Sequence, residues 1–299
     1  MTVRIGINPL SWSNDDLPSL GAETSLETCL SEGKQAGFSG FELGNKFPRD
    51  AAQLGSLLDR HGLHLVSGWF SGKLLQQSVE AEISELQPHL QLLKSQGCDV
   101  LVYCDTTDAV HGLQHTPLSH RPILNDSRWS DFTSKLNQLA DWCLDQGMQL
   151  AYHPHMGTVV QTEADIDRLM ANTSTAVGLL LDTGHLTYAG GDVLAIQQRH
   201  ADRICHVHCK DLREVVLQDA INRDMSFLNA VLAGIFTVPG DGSIDHAPLL
   251  RQLSETNYSG WLVVEAEQDP TVATPLTFAT LGANNLKQLC ADAGIDVAV

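Results

Sequence analysis

The 299-residue chain predicts an α/β protein, a single (β/α)8 TIM barrel spanning residues 1–299, on three observations. Eight short apolar runs alternate with segments of helical period from one end to the other. The runs are rich in Val, Ile and Leu rather than strictly alternating, as strands buried on both faces are. No linker-like stretch divides the chain.

The first strand, "VRIGIN" (3–8), leads through a polar turn to a helix over 25–36. "GFELG" (40–44) and a helix over 50–61 form the second unit, and "LHLVSGW" (63–69) opens the third. Its helix, "VEAEISELQPHLQLLKSQG" (79–97), places Ile83, Leu86, Leu90 and Leu93 on one stripe and stops at Gly97. Pro88 is expected to kink or split it. "DVLVYC" (99–104) precedes a long polar loop, 105–127, and a helix carrying Phe132, Leu136, Leu139 and Cys143 at helical spacing. "MQLAYH" (148–153) is followed by a helix over 163–172, and "AVGLLLD" (176–182) by one over 192–200 with Asp192 as its N-cap. "RICHVHC" (203–209) precedes a second long insertion, 212–243, and a helix over 246–256. "GWLVVEA" (260–266) and a helix over 275–292 complete eight units. Loops of such length on the βα side of a barrel usually form site walls or lids. An open doubly wound sheet would announce a Gly-rich phosphate loop after the first strand, and "INPLSWSNDD" is not one.

Acidic side chains outnumber basic ones 36 to 18, for a net charge of −18. That sign argues against nucleic acid and anionic membrane as partners. No run approaches the eighteen apolar residues of a membrane span, and the amino terminus lacks a secretory pattern. Seven scattered cysteines with no C-x-x-C spacing suggest neither a disulfide framework nor a zinc ribbon, so a reducing cytoplasm is the expected compartment.

In a barrel of this kind the carboxyl ends of the strands share one mouth. Strands five to eight end in His153, Asp182, His208 and Glu265, four donors suited to a divalent cation. Two imidazoles with two carboxylates fit Mn²⁺, Co²⁺, Zn²⁺ or Fe²⁺ better than Mg²⁺ or Ca²⁺. Taken singly, a strand-end His is often structural and a strand-end Asp often only a helix N-cap. Four on consecutive strands make the metal reading the simpler one. His206 shares the face of His208 one layer deeper, and His155 is a weaker ligand candidate. His61, His89 and His200 lie in helical segments and are expected to be ordinary surface residues.

His185, Glu42, Lys46 and Lys210 are the candidate acid–base groups, with His185 favoured because it adjoins a ligand and titrates near neutrality. Trp12, Asn14, Asp15 and Asp16 after the first strand, Trp69 after the third, and His155 are the candidate substrate contacts.

Three of these segments, "LLLDTGH", "HVHCKD" and "VVEAE", resemble the xylose-isomerase-like sugar isomerase/epimerase superfamily. "INPLSWSNDDLPSLG", "GFELGNKFP", "LVSGWFSG", "HTPLSHRP", "AYHPHMGTVVQT" and "SFLNAVLAGIFTVPGDGSIDH" narrow the resemblance to the inosose dehydratases of bacterial inositol catabolism. The resemblance implies loss of water from 2-keto-myo-inositol, a small cyclic polyol ketone, to give a trihydroxycyclohexane-1,2-dione. It also implies Mn²⁺ or Co²⁺, with glutathione assisting, and a homo-oligomer is in keeping with it. One departure stands out: the wider superfamily usually has Glu at the fifth-strand ligand position, where this chain has His153. A metal-dependent ketose epimerase or isomerase on the same barrel is the alternative. An abasic-site nuclease would need a cationic groove, and a non-catalytic sugar-binding module would not need four converging donors.

Overall fold

A computed structural model describes residues 1–298. Eight parallel strands close into a barrel: β1 (Thr2–Ile7), β2 (Gly40–Leu43), β3 (His64–Gly72), β4 (Val100–Asp105), β5 (Gln149–Tyr152), β6 (Val177–Asp182), β7 (Ile204–Cys209) and β8 (Trp261–Val264). Each pairs with the next, and β8 pairs back to β1, with Ile7 opposite Val264. His153 and Glu265 stand one residue beyond their strands, yet their amides still bond across the ladder, to Tyr103 O at 2.8 Å and Cys209 O at 3.4 Å. Asp182 and His208 are register partners at the ends of β6 and β7.

The barrel interior is layered. Near its amino-terminal end Trp261 fills the axis, in room left by Gly6 and Gly40. A Cβ on Gly40 would lie 2.8 Å from the indole and equally close to Val66. Above this plug Val102, Ala151 and Leu180 pack together. The next layer is polar, with Asn8, Glu42 and His208 pointing inward, while His206, level with Leu180 one layer below, reaches up to Glu42. The strands are thus apolar below and ionisable at the top, which builds the mouth into the fold.

The helices match the expected segments, with caps that explain their starts. Ser25, Asp50, Ser78, Asn125, Thr162 and Asp192 each accept a backbone N–H of the first turn. Pro88 does not split its helix, which runs unbroken over Val79–Ser95. A six-residue helix, Thr183–Tyr188, follows β6 directly and was not expected. The 212–243 insertion is not a loop: it holds helices Glu214–Asn222 and Phe227–Leu232 and a short antiparallel ladder of Asp211–Leu212 with Phe236–Thr237. It packs against the 105–127 segment through Val110, Leu118, Leu217, Phe227 and Phe236, a second apolar cluster beside the mouth. Among the described residues no helix is long and apolar enough to cross a membrane.

His61, His89 and His200 are not free surface residues. Each is partly buried, His61 against Glu27, His200 against Asp167 and His89 against the Gly68 carbonyl. Helices of a barrel bury one face on the sheet, and these imidazoles sit on or beside that face.

Candidate metal centre and mouth

His153, Asp182, His208 and Glu265 are all buried and each directs one donor atom into a common space, all four atoms within 4.8 Å of one another. Asp182 Oδ2 lies 3.7 Å from His153 Nε2 and 3.4 Å from His208 Nδ1, and His208 Nδ1 lies 3.1 Å from Glu265 Oε2. Ligands about 2.0–2.2 Å from a shared ion stand at comparable separations.

The other atoms of the four side chains are already committed, which fixes which atoms face the centre. His153 donates its Nδ1–H to the Pro154 carbonyl at 2.8 Å, leaving the Nε2 lone pair inward. His208 donates its Nε2–H to Glu42 Oε1 at 3.1 Å, leaving Nδ1 inward. Such orienting partners are the usual second layer of a metal site. Asp182 Oδ1 caps the Thr183–Tyr188 helix by accepting the His185 N–H at 2.7 Å. Asp182 Oδ2 and His208 Nδ1 are buried with no hydrogen-bond partner. A buried carboxylate oxygen left unpaired costs too much to be incidental, so the donor set fits a divalent cation. Asp182 therefore combines helix cap and candidate ligand in one carboxylate.

Charge around the centre is balanced by burial and pairing. Burial lowers the His208 pKa, but Glu42 and Glu265 outweigh it and hold it well above the ordinary value. Burial, with His208 adding to it, takes His153 down to about 4. Glu265 would be raised by burial, but Lys210 and His208 hold it below the usual carboxylate range.

The expected site residues fall into three groups. Asp15, Asp16, Glu42, Trp69, His153, His155, His208 and Glu265 line one cavity of about 180 Å³ at the mouth. Trp69 forms its wall, its ring 5.5 Å from that of His153 and 5.4 Å from that of His155. His155 donates Nδ1–H to the Met156 carbonyl, and burial holds its pKa well below the ordinary value.

Asp182, His185, Lys210 and Asn14 stand behind this lining. The His185 ring lies 3.9 Å behind that of His155 and stacks on Phe227, and burial keeps it neutral by pulling its pKa far down. That placement sets His185, expected as a proton-transfer residue, behind the cavity lining rather than on it. Lys210 is fully buried and bonds Glu265, Glu267 and His185. Asn14 donates to Glu267 at 3.3 Å.

Trp12 and Lys46 are not brought to the mouth. Trp12 is buried against Phe41 and donates its Nε1–H to Glu32. Lys46 reaches away to the carbonyls of Gly21, Ala22 and Thr24, tying down that turn. Glu42 lines the cavity but is saturated. It accepts from Ser67 Oγ at 2.6 Å, Asn8 Nδ2 at 2.7 Å, His206 Nε2 at 2.9 Å and His208 Nε2 at 3.1 Å. A carboxylate so held fixes the orientation of the His208 ring.

Residues not expected from sequence complete the mouth: Asn8, Asn45, Arg49 and Glu267. Burial raises Glu267 to about 7 against the pull of Lys210. It stands two positions beyond Glu265, so the two-residue period that placed Glu265 inward also pointed to it. Asn8 follows β1 by the same strand-end rule. A larger cleft, about 740 Å³, lies elsewhere among Ile5, Phe38 and Ile295; of its ionisable lining residues, Lys34 and Lys287 are bonded to the Gly62 and Gly37 carbonyls.

Residues 30–289 match the xylose isomerase-like TIM barrel. The chain belongs to that family. It is 50% identical over 98% of its length to the rhizopine catabolism protein MocC of Rhizobium meliloti, covering 90% of that protein. It is 42% identical over 96% of its length to the inosose dehydratase of Geobacillus thermodenitrificans (strain NG80-2), covering 97% of that enzyme. The IolI protein, solved with a bound zinc atom, superposes with a TM-score of 0.67 over 97% of this chain and 98% of that one, at 15% identity. At that identity the likeness is one of fold.

Proposed function

We propose that the chain is an inosose dehydratase, a metal-dependent hydro-lyase that removes water from 2-keto-myo-inositol to give a trihydroxycyclohexane-1,2-dione. The observation that carries this is the convergence of His153, Asp182, His208 and Glu265, with two buried atoms lacking any other partner, at the floor of a small polar mouth. The relatives named inosose dehydratase supply the substrate class. The two-imidazole, two-carboxylate set favours Mn²⁺ or Co²⁺ over the all-oxygen cations.

A divalent cation held there supplies Lewis acidity toward the ketone and its neighbouring hydroxyl, which makes the α-proton easier to remove. The chain's own groups do the rest. Glu267, at the mouth beside Lys210 and Asn14, is placed to move the proton between the α-carbon and the departing β-hydroxyl. His155, neutral at Nε2, accepts a substrate hydroxyl, and Asp15, Asp16 and Asn45 are available for the others. Trp69 offers the face against which a ring carbon skeleton packs. We place the enzyme in the cytoplasm, as the free cysteines suggest, and expect a homo-oligomer.

The test is to strip the protein with a chelator, add back Mn²⁺ or Co²⁺ with and without reduced glutathione, and follow dione absorbance from the inosose. Turnover that depends on the metal supports the reading. A fully loaded protein that leaves the inosose untouched but interconverts ketohexoses would replace it with the epimerase reading. The 50% identity to the MocC protein favours rhizopine catabolism as a second setting for the same centre.

A further inference from the structure

A second group of buried donors lies beside the first. Ring nitrogens of His155 and His185 and a carboxylate oxygen of Glu267 come within 4.8 Å of one another. None of the three belongs to the ligand set described above, and no salt bridge to Arg holds them. The group among them is the Lys210 ammonium, 2.8 Å from His185 Nε2 and 3.0 Å from Glu267 Oε1. It also reaches Glu265 Oε1 at 2.5 Å and stands 4.0 Å from Asp182 Oδ2. An ammonium has three protons. Here they meet three acceptors, one from each of His185, Glu265 and Glu267, and two of these three residues, His185 and Glu267, belong to the second donor group.

The path to this position is built for a lysine. A Cβ on Gly184 would lie 2.5 Å from Lys210 Cγ and 2.7 Å from Cδ, so the glycine of "LLLDTGH" leaves room for the stem. The Phe236 ring closes the other side, its centroid 4.5 Å from Nζ. The charges agree with the geometry. Four buried carboxylates, Glu42, Asp182, Glu265 and Glu267, face one ammonium and the proposed divalent ion, a sum of about −1 if all four are ionised. Without the lysine the deficit grows to about −2, which one more divalent ion would cancel.

We propose that Lys210 is a built-in cation occupying a latent second metal site formed by His155, His185 and Glu267, and that it thereby limits the centre to one ion. The inference rests on the first site being a metal site, as proposed above. It makes Lys210 a positioning residue: the side chain is fully buried behind the lining and touches no substrate.

The experiment is equilibrium dialysis of chelated protein against Mn²⁺, with elemental analysis and electron paramagnetic resonance of the washed product. Wild type is expected to hold one Mn²⁺ per chain with an isolated-ion spectrum. Lys210→Ala is expected to hold two with a spin-coupled spectrum, and Lys210→Ala/His185→Ala to return to one. Lys210→Met, neutral but space-filling, is expected to hold one. Wild type binding none would sink the first metal site itself. Wild type binding two, or folded Lys210→Ala binding one or none, would overturn the latent site alone. Lys210→Ala is expected to melt lower than wild type without metal and to recover with Mn²⁺; a variant that stays unfolded with Mn²⁺ also overturns the proposal.

Discussion

Glu42→Gln separates a residue that orients a ligand from one that moves protons. In the wild type one carboxylate accepts four hydrogen bonds, from Ser67, His206 and His208 on Oε1 and from Asn8 on Oε2. A glutamine can keep its oxygen toward the first three, but its amide then faces the Asn8 amide, donor against donor. Asn8 cannot turn over to relieve this. Its Oδ1 accepts the Leu10 N–H at 3.1 Å, and its Nδ2 also donates to Glu265 Oε2 at 3.0 Å. The Asn8 N–H and the glutamine's own amide N–H groups are left without acceptors there, at a cost of about 1–3 kcal/mol for each buried one, and the surviving bonds lose their charge assistance. His208 is then held less firmly in the tautomer that turns Nδ1 inward. Changes to such orienting partners weaken metal binding about 10–100-fold, or about 1.4–2.7 kcal/mol. Calorimetric Mn²⁺ titration should show that weakening, while kcat at saturating Mn²⁺ stays within a few-fold of wild type. An acid–base role would do the opposite, with affinity kept and kcat down about 10²–10⁴-fold however much metal is added. That second pattern, or an unchanged Kd, would refute the reasoning.

Asp182→Asn keeps an oxygen to cap Thr183–Tyr188 but removes the unpaired carboxylate charge, so Mn²⁺ binding should fall at least 100-fold with little change in the metal-free melting temperature. Glu267→Gln should retain one Mn²⁺ per chain by elemental analysis while kcat drops about 10²–10⁴-fold. Lys46→Met should leave kcat within two-fold and lower the melting temperature, because its ammonium ties three carbonyls of a surface turn and touches nothing at the mouth. Burial takes His89 down to about 4, well under its unfolded value. Its contribution to stability is therefore complete above about pH 6.5 and is lost as pH falls toward 4, up to about 3 kcal/mol. Urea unfolding of wild type and His89→Gln across that window should show a shallower pH slope for the variant.

The barrel and its metal donors were legible because both follow from one-dimensional rules. Apolar runs of strand length recur eight times, and the residue that ends each run points into the mouth whatever the loops do. Asp182 announces itself as the polar end of "LLLD", and the structure adds that its second oxygen is a helix cap. The acid–base residues were less legible because their roles depend on depth, which strand periodicity does not give. His185 and His155 look equivalent in sequence, each a histidine close after a strand, yet His155 lines the mouth and His185 stands behind it against Phe227. That phenylalanine comes from the 212–243 insertion, whose two helices the sequence pattern does not announce. Its ring packs on both imidazoles, 5.1 Å from His155 and 5.7 Å from His185, so their different depths show only in the folded barrel. Glu42 is hard to read for the converse reason: a carboxylate at a strand end looks free until its neighbours are known, and here Asn8, Ser67, His206 and His208 come from three other strands or their ends. Donor identity is a local property and survives translation from sequence to structure. Whether a donor is free to react is set by partners distant in the chain, and that is decided by the closed barrel.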